Sequence, residues 1–521
     1  MLSALLLLPL LLPVPQRPQV HAVAIINDPR SHGVVGDALL SLDETIRLAN
    51  FELSQNQLSA AERGQILGVG EPSTVEIDAA RVPVLRVERE LTEIADSFDG
   101  FFLEGLNGTP TIDFGATRGL RTRGSFQGFR RLRFVGGDVA IDSLQDSGYH
   151  TSLVEEITCE GQRVAGMRFV SRGNAAFWRM ILDDCRFVEL PQALALADQG
   201  NGTTAQLDLG RVTALRSGGL DLALGSGGSM LCNLVRVACE AAPIRVLRPN
   251  AASDQSLRLD ATHVLASSLR CEGHPTASST VVLRSLDLAD QGDSLWLGGT
   301  GARLDARLQD VRVRGDVRLA GAPDQAVQID NLRHDAGALV LDVPTHCTAS
   351  RLAQVAVRAS APGCALTDCD VLGGGVALQG GGVTLTRCFT DGVARVLAVQ
   401  VVAPRCAAWV GAFDVVPPLP RLGGTVELRH DLPPGRLGVW LFGLTSDAPL
   451  ADGTGARLYM TTALLRADSV VLQGPGLRRV PIPTDAAMRD LDLYLQGAVL
   501  PDAGAPGPAL LLAPGQRLRC Q

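Results

Sequence analysis

Apolar positions along this chain recur in a six-residue phrase, roughly Leu-x-x-Val/Cys-x-Val/Phe. It starts at Leu182, Leu209, Cys232, Leu259, Leu283, Leu308, Ile329, Leu352, Leu366 and Leu385. The starts lie about 22 residues apart, the length of one turn of a β-solenoid. Each copy alternates apolar and polar residues as a strand does, and none could bury its apolar face alone, so the copies must stack. Phe129-Arg-Arg-Leu-Arg-Phe134 and Val164-Ala-Gly-Met-Arg-Phe169 have the same form, and Thr74-Val-Glu-Ile and Pro83-Val-Leu-Arg-Val carry the strand pattern further back. The expected fold is all-β: a right-handed parallel β-helix, or solenoid, over residues 74–403.

The two ends read differently. Ser41 followed by Glu44 is a capping box, in which hydroxyl and carboxylate satisfy backbone N–H groups at a helix start. Leu42, Ile46 and Ala49 then share one helical face, so residues 25–73 are expected to form an N-terminal capping segment with an amphipathic helix that plugs the open end of the solenoid. The repeat stops near residue 404, and Pro417-Pro-Leu-Pro420 marks a boundary. Beyond it, Thr425-Val-Glu-Leu-Arg, Gly438-Val-Trp-Leu-Phe and Asp492-Leu-Tyr-Leu-Gln alternate with period two, which predicts a small β-sandwich-like domain over 404–521. Gly clusters such as Gly298-Gly-Thr-Gly and Gly373-Gly-Gly fall between strands and read as coil corners.

Composition narrows the function classes. The chain has 521 residues and a net charge of −8, and all 47 basic residues are Arg. That balance argues against nucleic acid as a partner, and the lack of Lys closes phosphate-loop and Lys-based chemistry. Residues 1–24, with their Leu-rich opening and small residues near Ala22 and Ala24, read as a signal peptide, so the protein is expected to be extracellular or at the cell surface. No other run is long and apolar enough to predict a transmembrane segment in the mature chain. Of eleven cysteines, Cys185, Cys369 and Cys388 occupy the fourth slot of the phrase and read as core residues, while Cys406 and Cys520 bracket the last domain and suggest a bridge. Neither Cys nor His shows a ligand spacing, so no metal and no cofactor is expected.

Ser41-Leu42, Glu44, Ile46 and Ala49-Asn50 resemble the CSLREA-type segment that precedes β-helices in many exported bacterial proteins, although the leading Cys is missing and Asp43 and Thr45 depart from the pattern. The resemblance implies architecture and export. The closing run through Leu491-Asp-Leu-Tyr-Leu-Gln-Gly-Ala-Val resembles a β-rich domain that ends many large secreted bacterial proteins, and implies a secreted setting. The solenoid itself is similar to the pectin-lyase-like fold shared by pectate lyases, polygalacturonases, phage tailspikes and autotransporter passengers, and fold does not choose among these.

Two sets of residues could carry chemistry. In the fifth slot of the phrase, Arg133, Arg168, Arg186, Arg236, Arg312 and Arg333 are expected to form one outward column. It is readable as a docking stripe for an anionic polysaccharide or simply as a solvated sheet face. Asp183-Asp184 is the one close match to the paired carboxylates of polygalacturonase-like enzymes, whose closing Arg-Ile-Lys motif is absent. Calcium-dependent lyase chemistry would need a carboxylate cluster with an Arg base, for which Asp208, Asp221, Asp260 and Arg211 are candidates. Two readings stay open. One is a secreted or cell-surface β-helix with a non-catalytic structural, adhesion or glycan-contact role, its partners polysaccharide or cell-envelope components. The alternative is a polysaccharide lyase or glycoside hydrolase acting on an acidic polysaccharide.

Overall fold

A computed structural model describes residues 22–95, 100–123, 125–145, 148–171, 177–198, 204–223, 229–247, 256–273, 278–299, 303–322, 326–372, 375–378, 383–386, 388–390, 395–396, 400–402, 412–416, 422–431, 437–443, 466–467, 475–485, 492–500, 511–512 and 516–519. Residues 1–21, on which most of the expected signal peptide falls, Cys406 and Cys520, expected to bridge, and the expected boundary at Pro417–Pro420 lie outside these residues. The chain divides into two compact units, Met1–Ala197 and Asp198–Gln521.

In the first unit Ala22–Ile26, Pro72–Asp78, Phe101–Leu106, Phe126–Gly136, Tyr149–Glu160 and Phe177–Asp183 pair in parallel as successive rungs. Leu120–Thr122, Val139–Gln145 and Ala165–Ser171 form a second, shorter ladder. The helix Leu42–Ala49 begins where the capping box places it. Ser41 Oγ accepts the Glu44 amide, and Glu44 accepts the Ser41 amide at 2.9 Å. Leu48 of the helix packs with Ala24 of the first rung and with Leu40, Leu53 and Leu58. Asp43 holds the helix to the following chain through the Thr92 amide at 2.8 Å and Arg89 at 3.2 Å.

The second unit repeats the plan. Thr204–Gly210, Met230–Cys239, Ser256–Ala266, Ser278–Leu288, Arg303–Val313 and Val327–His334 form one parallel ladder. Leu220–Ala223, Ile244–Leu247, Leu269–Glu272, Asp293–Gly298, Asp316–Ala320, Gly337–Leu341 and Val355–Ala359 form the other. Both units are therefore parallel β-solenoid. Further along, Ala412–Val416, Thr425–Asp431 and Pro475–Pro481 make an antiparallel sheet, and Leu437–Gly443 with Asp492–Leu500 lies at the centre of a second.

The pairing explains why the phrase breaks strict alternation. In Leu182-Asp-Asp-Cys-Arg-Phe187, Leu182, Cys185 and Phe187 are buried, and Asp184 between them has φ +54°. One left-handed residue turns the strand and resets which face the next side chain meets, so the apolar spacing becomes three and then two. Arg131 and Glu156 take this place in the first unit, and Arg211, Arg236, His263, Ser285, Asp310, Asn331, Ala349 and Asp368 in the second. Asn331 Nδ2 donates to Asp310 Oδ1 at 2.7 Å, tying two adjacent bends together.

That register corrects three of the sequence-based starts. Leu209 pairs with Leu234 rather than Cys232, and Ala261, not Leu259, precedes Leu283. Leu352 pairs with His334, and Cys347 is the residue that follows Ile329. Strands have period two, so the first two starts, displaced by two residues, keep the same face and the sequence pattern alone tolerates them; Leu352 lies five residues past Cys347, beyond the bend at Ala349, where an inward position also falls.

Candidate ligand-contact surface

The six arginines expected in one column fall into three settings. Arg133 and Arg186 do share a column, each paired to Thr158. Arg312 and Arg333 are direct partners, with Asp287 before them and Arg351 after. Arg168 lies instead on the shorter ladder opposite Asp142, and Arg236 is a left-handed bend residue with φ +59°. A slip in register at Arg236 and a change of ladder at Arg168 produce the apparent column. Most of these cations also have acids at hand: Arg133 meets Glu160 at 2.5 Å, Arg168 meets Asp142 at 2.6 Å, and Arg312 and Arg333 reach Asp335 at 3.4 and 3.5 Å.

The carboxylate candidates are likewise separated. Asp183 faces outward beside Glu155, its register partner, while Asp184 is the exposed bend residue. Arg211 is the bend residue of its own rung, in the second unit, with φ +50°. Asp208 and Asp260 flank Asn233 on the longer ladder, and Asp221 stands on the other. Asp208 accepts from Asn233 at 2.6 Å and Gln206 at 2.9 Å, and Asp260 meets Arg258 at 2.9 Å. The arrangement is a set of sheet-face pairs, not a carboxylate pair with separated acid and base roles.

A cationic column does exist, on the shorter ladder of the second unit. Strand pairing aligns Asp221, Arg245, Arg270, Trp296, Arg318, Val340 and Arg358 rung by rung. Their neighbours Ile244, Val246, Leu269, Cys271, Leu295, Leu297, Val317 and Leu319 are all buried, which turns the column to the outside. At about 4.8 Å per rung, the seven positions span about 29 Å. Trp296 is clasped on both sides: the Arg270 guanidinium lies 4.8 Å and the Arg318 guanidinium 4.7 Å from its ring centroid. Each contact of this kind contributes about 0.5–1 kcal/mol at an exposed site. Three of these cations have an acid near them, Glu272 at 2.5 Å from Arg270, Asp342 at 3.4 Å from Arg318 and Asp221 of the column itself at 4.0 Å from Arg245. Half-exposed guanidiniums in surface pairs keep donors for a further anion. The sequence held a signal for this column in the triplets Ile244-Arg-Val, Leu269-Arg-Cys, Leu295-Trp-Leu, Val317-Arg-Leu and Val357-Arg-Ala, which follow each phrase in turn.

The nine described cysteines are all buried free thiols, Cys185, Cys369 and Cys388 among them, as their slot predicts. Burial pushes Cys185, Cys239 and Cys271 up to about 12 and raises Cys232 and Cys369 as well. Among the described residues, one trio has metal-ligand chemistry within reach: Asp28, His32 and Asp37. His32 Nε2 lies 3.0 Å from Asp28 and 3.4 Å from Asp37, but its Nδ1 accepts the Val34 amide at 3.1 Å. The ring proton therefore sits on Nε2, facing both carboxylates, and the trio reads as an imidazole staple between two acids. No helix among the described residues is long and apolar enough to cross a membrane.

No protein-family model matches the chain, and no curated protein does. Among solved structures, the chain is similar to the crystal structure of tailspike protein 3 of bacteriophage CBA120. The identity is 9%, the TM-score 0.27, and the match covers 64% of this chain and 57% of that one. The chain thus spans little more than half of that protein's length. At that TM-score the likeness carries no argument, and the solenoid assignment rests on the strand pairing itself.

Proposed function

We propose that the protein is an exported, non-catalytic β-helix that holds an acidic polysaccharide along the outer face of its shorter ladder. One observation carries this reading: the aligned column of Arg245, Arg270, Trp296, Arg318 and Arg358. Arg270, Arg318 and Arg358 recur at every second rung, about 9.6 Å apart, near the length of a disaccharide. A linear glycan with one acidic group per disaccharide could lie along the solenoid and meet a guanidinium at each repeat, with Trp296 holding the Arg270 and Arg318 guanidiniums in place on either side of its ring. The CSLREA-type segment and the secreted C-terminal domain that the sequence resembles support an envelope or matrix setting. So does a fold whose rigid faces repeat along one axis.

The test is a glycan-binding screen of the full chain with acidic and neutral polysaccharides, followed by product analysis of every polymer bound. Binding of acidic polymers at unchanged length supports the proposal. Shortened or unsaturated products would replace it with the lyase or hydrolase reading, and binding indifferent to glycan charge would sink it.

A further inference from the structure

The first unit holds an arginine-rich groove. Leu120–Thr122, Val139–Gln145 and Ala165–Ser171 form its floor, and the chain around Glu93 bridges to it through the pairing of Ile94 with Thr122. The groove has a volume of about 380 Å³ and is lined by Arg118, Arg121, Arg123 and Arg168 against Glu93, Asp138 and Asp142. That volume suits a small molecule rather than a polymer segment.

Partner by partner, the charges do not cancel. Arg168 takes Asp142 in a two-pronged pair at 2.6 and 2.8 Å. Asp138 is taken by Arg163, outside the lining, at 2.9 Å. Glu93 pairs closely with Arg123 and stands 3.8 Å from Arg121, at the limit of an ion pair. Among the described residues no carboxylate lies within ion-pair distance of the Arg118 guanidinium, although its amide donates to Glu90 at 3.2 Å. The Arg121 Nε is shut off from solvent and makes no hydrogen bond among the described residues. Beside these two arginines, Leu144 and Val164 give the groove a partly exposed apolar wall.

We infer that this groove is a binding site for one small carboxylate, seated on Arg118 and Arg121 with its carbon skeleton against Leu144 and Val164. The lining carries one more cation than anions, so a singly charged ligand neutralises it. The planar fork of Arg matches a carboxylate in two parallel bonds. The site belongs to the first unit and does not depend on the polysaccharide column of the second. Sugar acids and short aliphatic acids both carry the required chemistry.

The experiment is titration calorimetry of the full chain with glucuronate, butyrate, glucose and inorganic phosphate, repeated on Arg118→Gln and Arg121→Gln. Thermal unfolding of each variant checks that it folds. Both carboxylates are expected to bind and glucose is not, with at least a tenfold loss of affinity in either variant; Arg258→Gln, on the longer ladder of the other unit and outside both the groove and the column, is expected to bind them as the parent does. Tighter glucuronate would identify the source as a sugar acid and tighter butyrate as an aliphatic acid, and either supports the assignment. Equal binding of phosphate and carboxylates, carboxylate binding unchanged in both variants, or no carboxylate binding to the folded parent would overturn it. Should one variant fail to fold, the other decides.

Discussion

Two glycines share one φ and differ in what a side chain on each would meet. Gly36 and Gly298 both have φ +92°. A Cβ on Gly36 would meet nothing within 4 Å, whereas on Gly298 it would run into the backbone carbonyl oxygen of Ala320 on the next rung. Gly298 closes the strand that carries Trp296, and the Gly299 amide donates to that same carbonyl at 3.1 Å. Replacing either with Ala imposes left-handed strain of about 1–2 kcal/mol, offset by about 0.4–1 kcal/mol from the less flexible unfolded chain. Gly36→Ala should therefore cost about 1 kcal/mol or less. Gly298→Ala must also push two rungs apart and strip buried hydrogen bonds, each about 1–3 kcal/mol when a partner is lost, for a total of about 3–5 kcal/mol. At about 2 °C per kcal/mol for a chain of this size, the apparent Tm should fall by about 6–10 °C in Gly298→Ala and by about 2 °C or less in Gly36→Ala. Thermal unfolding followed by circular dichroism reads both. Equal, small shifts would refute the rung register at Gly298, because that register is what sets the Ala320 carbonyl against it.

Further predictions follow from burial. The nine described thiols are buried, and burial pushes Cys185 and Cys271 up to about 12, so a thiol reagent should label none of the nine in the native protein and all of them in denaturant; rapid native labelling of Cys185 or Cys271 would contradict their place in the core. His334 is fully buried with Nε2 2.6 Å from the Gly315 carbonyl, and burial holds it below its ordinary 6.5. Above about pH 6.5 both folded and unfolded imidazole are neutral and it costs nothing. As pH falls below that value the unfolded chain takes up a proton the folded one refuses, so stability declines toward the lower folded value. Urea unfolding at pH 7.5 and pH 5.5 should show a smaller acid loss in His334→Gln than in the parent, and an equal loss would show that His334 is not the group responsible. Removing Trp296 as Trp296→Leu should cost about 1–2 kcal/mol from its two cation–π contacts, and a double-mutant cycle with Arg318→Gln should show a coupling of about 0.5–1 kcal/mol; additivity of the two changes would mean that the clasp contributes nothing.

The sequence made the solenoid legible because a buried face repeats on every rung, and it placed the helix at Leu42–Ala49 because capping is local chemistry between Ser41 and Glu44. Register was harder to read. Cys232, Leu234, Leu259 and Ala261 all point inward, so hydrophobicity cannot say which of them matches Leu209. The left-handed bend that fixes the answer is occupied by Arg, Glu, Asp, His, Ser, Asn and Ala, with no single residue type to mark it. That ambiguity, with a change of ladder at Arg168, placed Arg168 and Arg236 in a column with Arg133 and left the shorter ladder unread, although its Arg and Trp sit between buried residues in plain alternation. The groove at Arg118 and Arg121 was out of reach for a different reason: its charges come from a bend, a short strand and the distant Glu93, and only the fold gathers them.

The central claim stands on the cationic column, and the direct measurement is the salt dependence of binding to a sulfated or carboxylated polysaccharide. It compares the parent with a variant carrying Arg270→Gln, Arg318→Gln and Arg358→Gln. Each contact of a polyanion with Arg releases counterions, so log Kd should rise with log salt, with a slope that drops by about one for each contacting Arg removed, and affinity should fall about a hundredfold at moderate salt. If the folded variant binds the acidic polymer with the parent's affinity and slope, the column is a solvated sheet face and the account is wrong.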